Sequence, residues 1–163
     1  MVAAFEWVES NTVGETESTP TNINFGSTDA VNLVALTYPI TAGENSYEKW
    51  IKVKFTGTFS VIDNIQFWKS AGAYQTEEGI DWSGTTALAS YATPTAATSS
   101  VATTVLPTAD PGTANVWIAG SLSGTITVSG NTSDYIVMQL QTTTNTEAGA
   151  VNTKTFTLQY DEV

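Results

Sequence analysis

Residues 47–69 read YEKWIKVKFTGTFSVIDNIQFWK, and their pattern decides the fold class. Ile51, Val53, Phe55, Gly57 and Phe59 alternate with Trp50, Lys52, Lys54 and Thr56. Successive side chains leave a pleated strand on opposite sides, so a period of two marks a strand with one face in a core. Ile51, Val53, Phe55, Gly57 and Phe59 are therefore expected inward. After a break at 60–63 a second strand begins, with Ile65 and Phe67 inward and Gln66 and Trp68 outward. The two strands either pair directly, Phe59 against Ile65, or lie in opposite sheets as in an immunoglobulin-like domain.

The same period recurs downstream. In YIVMQLQT, residues 135–142, Ile136, Met138 and Leu140 are expected inward and Gln139 and Gln141 outward. In KTFTLQY, residues 154–160, Phe156, Leu158 and Tyr160 alternate with Thr155, Thr157 and Gln159. Residues 114–118 and 121–129 also read as strands, with Gly124 as a bulge or close-approach point. Upstream, residues 2–8 suit an edge strand anchored by Phe5, Trp7 and Val8, followed by a polar stretch without pattern. Short apolar runs at 23–25 and 31–36 flank the turn signal GSTD at 26–29. A further turn is expected at 145–152. Thr-rich composition with no sustained helical stripe agrees with strands throughout.

These segments predict an all-β chain folded as a single β-sandwich, immunoglobulin-like or jelly-roll, with about eight to ten short antiparallel strands. Residues 1–20 are expected as an N-terminal strand or arm and residues 21–163 as the sandwich domain. Within it, residues 84–114 form a long Ala/Thr/Ser-rich excursion broken by Pro94, Pro107 and Pro111, with strands at 88–91 and 101–106. Loops of that length in a compact domain are usually functional or disordered.

The chain has 163 residues, 5 Lys plus Arg against 16 Asp plus Glu, and a formal net charge of −11. So acidic a chain repels phosphate backbones, which argues against nucleic acid as a partner. It has neither His nor Cys, and its five basic residues are all lysine. That removes the Ser-His-Asp and Cys-His kits, the His/Cys zinc sets and the Arg clamp for phosphate. The remaining catalytic route is a carboxylate pair of the glycosidase kind. Glu77, Glu78 and Asp81 cluster in one loop beside Tyr74 and Trp82, and their plain reading is as solvated loop carboxylates. They lack the alternating spacing of a calcium loop. No enzyme activity, metal or cofactor is expected. The N-terminus, MVAAFEWVES, lacks a basic region and does not read as a signal peptide, and no apolar run is long enough to span a membrane. Trp50, Trp68 and Trp82, if exposed together, would form a sugar-stacking platform.

The phrases KWIKVKFTGTFSVIDNIQFWKSAGAY, ANVWIAGSLSGTITVSGNTSDYIVMQLQTTT and KTFTLQYDEV resemble uncharacterised structural proteins of tailed bacteriophages, over residues 47–163. The resemblance implies a virion component made in the host cytoplasm. It implies first a capsid decoration (cement) protein bound to the major capsid protein or other virion proteins, as a homo-oligomer on the particle or singly, and second a neck or tail accessory protein. It brings no functional residues with it. Phe5, Trp7, Trp82, Leu88, Tyr91, Val101 and Leu106, in the arm and the excursion, are the candidate partner-binding residues. The alternative is a carbohydrate-binding or adhesin-like sandwich module.

Overall fold

Ile51, Val53 and Phe55 do form one apolar face, and all three are fully buried. The computed structural model describes residues 2–84, 86–96, 98, 100–147 and 152–163. Among them run eight strands and no helix, in the order β1 (Val2–Asn11), β2 (Thr16–Ser18), β3 (Lys49–Thr58), β4 (Ile62–Ala71), β5 (Glu78–Trp82), β6 (Thr104–Val105), β7 (Ile136–Thr142) and β8 (Thr155–Glu162). The chain is an all-β sandwich of two antiparallel sheets, one of six strands ordered β2-β1-β3-β7-β5-β6 and one of two, β4-β8.

The two strands of the 47–69 unit lie in opposite sheets, so the direct Phe59–Ile65 pairing does not form. Instead β3 pairs with β1 from Val2↔Thr58 to Ser10↔Trp50, and with β7 from Lys49↔Met138 to Ile51↔Ile136. Strand β4 pairs with β8, with a register shift between Asp63 and Gln66 where Asn64 takes a positive φ of 48°. The break expected at 60–63 falls on the gap between β3 and β4, and the bulge at Asn64 is a separate irregularity inside β4. Phe67 knits the layers together: its ring meets Trp7 of β1 and Trp82 of β5 edge-on or tilted, and stacks on Phe156 of β8. Phe55 and Phe5 both meet Tyr160 nearly edge-on.

The N-terminal segment is structural. Strand β1 lies between β2 and β3, and its far end is tied across the sandwich by the Ala3 amide donating to Glu162 Oε2 at 3.0 Å. Gly57 was expected inward but lies exposed at the end of β3, where its φ is 98° and a Cβ would stand 2.6 Å from the Val2 carbonyl. Glycine is required there by conformation and by space alike. Gly124 is a close-approach point, since a Cβ would meet the Ile118 carbonyl at 2.4 Å, but it sits outside any strand.

The main correction concerns the outward faces. Trp50, Gln66, Trp68 and Gln139 were all expected outward and all are buried. Over the six-stranded sheet, Trp50, Tyr135 and Val137 form a second apolar cluster, covered by Leu88, Tyr91 and Val101 of the excursion. The excursion is fastened by one carboxylate. Glu48 Oε2 accepts from Trp50 Nε1 (2.9 Å) and the Thr95 amide (3.1 Å), and Oε1 accepts from Ser100 Oγ (2.6 Å) and the Val101 amide (3.3 Å). Gln139 is satisfied in the same layer, its Nε2 donating to the carbonyls of Ser46 (2.9 Å) and Thr95 (3.3 Å). On the other sheet the free edge of β4 is closed by coil. The Lys69 amide donates to Pro107 O, the side-chain amide of Asn115 bonds both the N–H and C=O of Phe67, and Ile62 bridges Ile126. A covered edge cannot recruit a foreign strand.

Several expected strands are absent because their backbone partners lie elsewhere. Residues 23–25, 31–36 and 88–91 are turns and coil, 101–106 retains only β6, and 114–118 and 121–129 contribute isolated bridges. The turn expected at 145–152 falls partly on residues 148–151, outside the described residues.

If the excursion seals the outer face, Trp50→Ala will cost about as much as a core truncation, about 3–5 kcal/mol, as will Phe55→Ala and Phe67→Ala. Thr157→Ala, on the outside of β8, will cost far less. Urea titration measures all four, and a Trp50→Ala loss no larger than that of Thr157→Ala would show the outer face to be open.

Candidate functional site

A surface feature remains once the sheets and their covers are accounted for. A groove of about 770 Å³ opens where residues 20–42 pass over the sandwich near the start of β8. Such a volume lies in the range of ligand pockets. Trp7, Phe25, Ile40, Leu140 and Phe156 supply apolar walls, and Asn22 and Asn24 supply amides. The walls come from four separate parts of the chain, brought together by β1, β7, β8 and the 20–42 crossover.

The crossover is shaped by few bonds. The Asn32 side chain accepts from the Thr21 amide (2.6 Å) and hydroxyl (2.9 Å), and Asn24 Nδ2 donates to the Leu33 carbonyl (2.9 Å). Leu33 is buried and pins the segment. Beyond it the Thr37 amide donates back to Val34 O (2.9 Å), closing a turn whose apolar residues have nowhere to go. Val34 is 58% exposed, Leu36 89% and Tyr38 43%. Leu36 and Tyr38 form a rim of the groove. Isolated apolar side chains on a surface need no explanation, but three in five residues beside an apolar groove form a patch.

One end of the groove is charged. Lys154 Nζ stands 2.6 Å from Glu78 Oε1, both side chains being nearly inaccessible, and Glu78 Oε2 accepts the Gln75 amide at 2.7 Å. The Tyr74 ring lies between two ammonium groups, Lys69 at 4.7 Å and Lys154 at 5.7 Å from its centroid. Burial pushes the Tyr74 hydroxyl up from its ordinary range, and the carboxylates of Glu78 and Asp81 add to the effect. Glu78 is thus the partner of a lysine, and Glu77 accepts from the Thr143 hydroxyl at the surface. Asp81 stands on the outer face of β5. Among the described residues, no group of three or more acids is placed to hold a metal ion.

The residues expected to bind a partner are scattered. Leu106 and Trp82 are buried in the main core; Leu88, Tyr91 and Val101 are half-buried over Trp50; Trp7 is half-buried, lining the groove. Phe5, 41% exposed, is the one on the open surface. Trp50, Trp68 and Trp82 are buried, so they do not make an exposed stacking platform. Of the patch that is exposed, Val34 to Tyr38, the sequence marks Val34 and Leu36 only as part of the short apolar run 31–36. Its signal was the run's position between GSTD and Pro39, too short and too crowded by turn residues to be a core strand.

No family model, curated protein or solved structure matches the chain.

Asp81 gives a pH test of this part of the fold. Burial raises its carboxyl above the ordinary 3.8, with no compensating partner to lower it. A raised folded-state value means the charged form is disfavoured on folding. Stability from this group is therefore fully present below the unfolded value and is lost as pH rises through the folded one. Asp81→Asn is expected to raise the urea midpoint at pH 7, with the gain over wild type shrinking to nothing as pH falls below about 3.8. A gain that does not depend on pH would mean that burial of the charge is not its source.

Proposed function

We propose that this chain is a non-enzymatic structural protein of a bacteriophage virion, acting as a capsid decoration protein that docks on the major capsid protein through the 34–38 turn and the groove beside it. The observation that carries this reading is the exposed apolar patch of Val34, Leu36 and Tyr38 bordering a groove of about 770 Å³. A protein destined for the surface of a shell needs a rigid scaffold and one adhesive patch. The sandwich supplies the first, its large sheet packed on the core by one face and covered over Trp50, Tyr135 and Val137 on the other. The net charge of −11 keeps free copies apart before assembly.

This places docking elsewhere than the N-terminal segment and the 84–114 excursion. Both are engaged within the chain, β1 in the large sheet and Leu88, Tyr91 and Val101 over Trp50. Deleting residues 1–20 would remove two strands of the large sheet, β1 and β2, so truncation cannot report on docking alone.

Point substitutions on the patch can. Val34→Ser, Leu36→Ser and Tyr38→Ser combined are expected to leave the urea midpoint nearly unchanged, because exposed sites are usually within about 0.5 kcal/mol each. In co-sedimentation with particles lacking the protein, wild type should pellet and the triple variant should stay in the supernatant. Apolar docking should also survive added salt, which screens charge pairs but not burial. Binding by the triple variant equal to wild type would sink the proposed surface. Retention on a polysaccharide column, with no pelleting by any form, would replace the virion reading with sugar binding.

A further inference from the structure

At the end of the large sheet, on its core-facing side, a lysine, an asparagine and a glutamate meet in a buried cluster unconnected with the groove. Glu9 and Lys49 are essentially inaccessible and Asn11 nearly so. Glu9 Oε1 accepts from Lys49 Nζ at 2.8 Å and from Asn11 Nδ2 at 3.0 Å. The two nitrogens therefore share one carboxylate oxygen. The strand register accounts for it. Glu9 pairs with Ile51 and Ser10 with Trp50, so the next step along the same register sets Asn11 opposite Lys49. Residues opposed on adjacent strands have Cβ atoms about 4.5–5.5 Å apart. The remaining contacts are few: Lys49 Nζ donates to the Ala30 carbonyl at 2.7 Å, and Asn11 Nδ2 to Asp29 Oδ1 at 2.7 Å.

Two buried atoms here have no hydrogen-bond partner, Asn11 Oδ1 and Glu9 Oε2. Buried polar atoms are nearly always satisfied, and exceptions call for a cause. We infer that Lys49 and Asn11 are the reactants of an intramolecular isopeptide bond, formed between β3 and β1 with Glu9 as the proton carrier.

The step balances without any added reagent. Glu9 takes one proton from the Lys49 ammonium, which turns a buried ion pair into two neutral groups. The free amine attacks Asn11 Cγ, forming the new carbon–nitrogen bond. Glu9 relays a second proton from the attacking nitrogen to Nδ2, the Cγ–Nδ2 bond breaks, and ammonia leaves. An amine and a primary amide become a secondary amide and ammonia, and the first proton remains on Glu9. The protonated carboxyl can then donate to Asn11 Oδ1, giving that orphaned oxygen its partner. Asp29, half-buried and already holding Nδ2, stands on the path of the departing nitrogen toward solvent. Holding amine and amide on one oxygen in a water-poor site supplies the proximity that the uncatalysed reaction lacks. The product ties the N-terminal strand covalently to the central strand of the sheet, closing a loop through residues 11–49.

The test is the mass of the purified, folded protein under denaturing conditions. Most molecules are expected to be lighter than the sequence by one ammonia. Protease digestion should give a branched peptide joining the segment of Asn11 to that of Lys49. Glu9→Gln keeps both reactants but removes the proton carrier, and is expected at full mass. Succinimide formation at Asn11 would lose the same ammonia without involving Lys49. Loss that persists in Lys49→Met, or in Glu9→Gln/Lys49→Met where no buried charge is left unpaired, would overturn the bond. So would wild type at full mass with linear peptides, a result that does not depend on any variant folding. The inference stands apart from the virion reading, since neither outcome bears on docking.

Discussion

The buried carboxylate of Glu48 is the contact on which the layering depends. A six-stranded sheet packed on a two-stranded one has one face in the sandwich and one that would otherwise meet water. On that second face the chain has placed Trp50, Tyr135 and Val137, which need a cover. The available cover brings only Leu88, Tyr91 and Val101 as larger apolar side chains, in a stretch otherwise mostly Ala, Thr and Ser. Glu48 solves this with hydrogen bonds. Four donors converge on its two oxygens, two of them backbone amides of the excursion and one the indole of Trp50 itself. Hydrogen bonds to a charged group contribute about 1.5–3 kcal/mol each, and a partner stripped from such a site leaves every donor unsatisfied. The polar cover and the apolar cluster are therefore one unit. Tyr91 extends it to the N-terminal turn by donating to the Thr12 carbonyl at 2.9 Å, with its hydroxyl pushed far above the ordinary range by burial first and then by nearby Asp29.

This arrangement explains which parts of the fold were legible in the sequence. Alternation identifies a face only when the other face is wet. For Ile51, Val53 and Phe55 the inward reading holds because apolar side chains seldom lie elsewhere in a strand. For Trp50 and Gln139 the same rule fails, since the outer side is buried too. Gln139 is a glutamine in a dry layer because Ser46 and Thr95 offer it carbonyls. Nothing in the string YIVMQLQT announces those partners. The excursion was visible as a composition but not as a structure, because its attachments run through backbone amides that every sequence possesses. The bulge at Asn64 went unread for a related reason: a positive φ shifts the register without ending the strand or the apolar alternation.

The candidate docking surface was less legible still. A groove is a relation among segments distant in the chain, here Trp7, Phe25, Leu140 and Phe156. Sequence periodicity carries no information on which ends of which strands converge. The 31–36 run was recognisably apolar, and a run of apolar residues ordinarily predicts burial. Leu33 obeys, while Val34 at the start of a tight turn and Leu36 within it cannot follow. Of the aromatic residues that looked suited to a partner, Trp82 went to the interior and Trp7 and Tyr91 are half-buried within the fold, leaving Phe5 on the open surface.

Charge has a parallel logic. Each of the five lysines is committed within the chain: Lys49 to Glu9, Lys52 to Glu17, Lys54 to Glu6 and Lys154 to Glu78, with Lys69 bonded to the Gly72 carbonyl at 2.6 Å under the Tyr74 ring. Lys49 and Lys154 both lie almost wholly removed from water, and losing Glu78 from beside Lys154 would strand a charge at a cost of about 3–5 kcal/mol. Positive charge is spent on joining segments, β1 and β2 to β3 and the residue before β8 to the start of β5. What remains for the exterior is the acidic surplus, with no lysine free to form a basic patch. A field of one sign repels like copies and steers toward a basic partner at long range, but falls off within a Debye length of about 8 Å at physiological salt. Contact itself must then come from surface that charge does not describe. The exposed apolar turn at 34–38 and its groove are where this chain offers such surface.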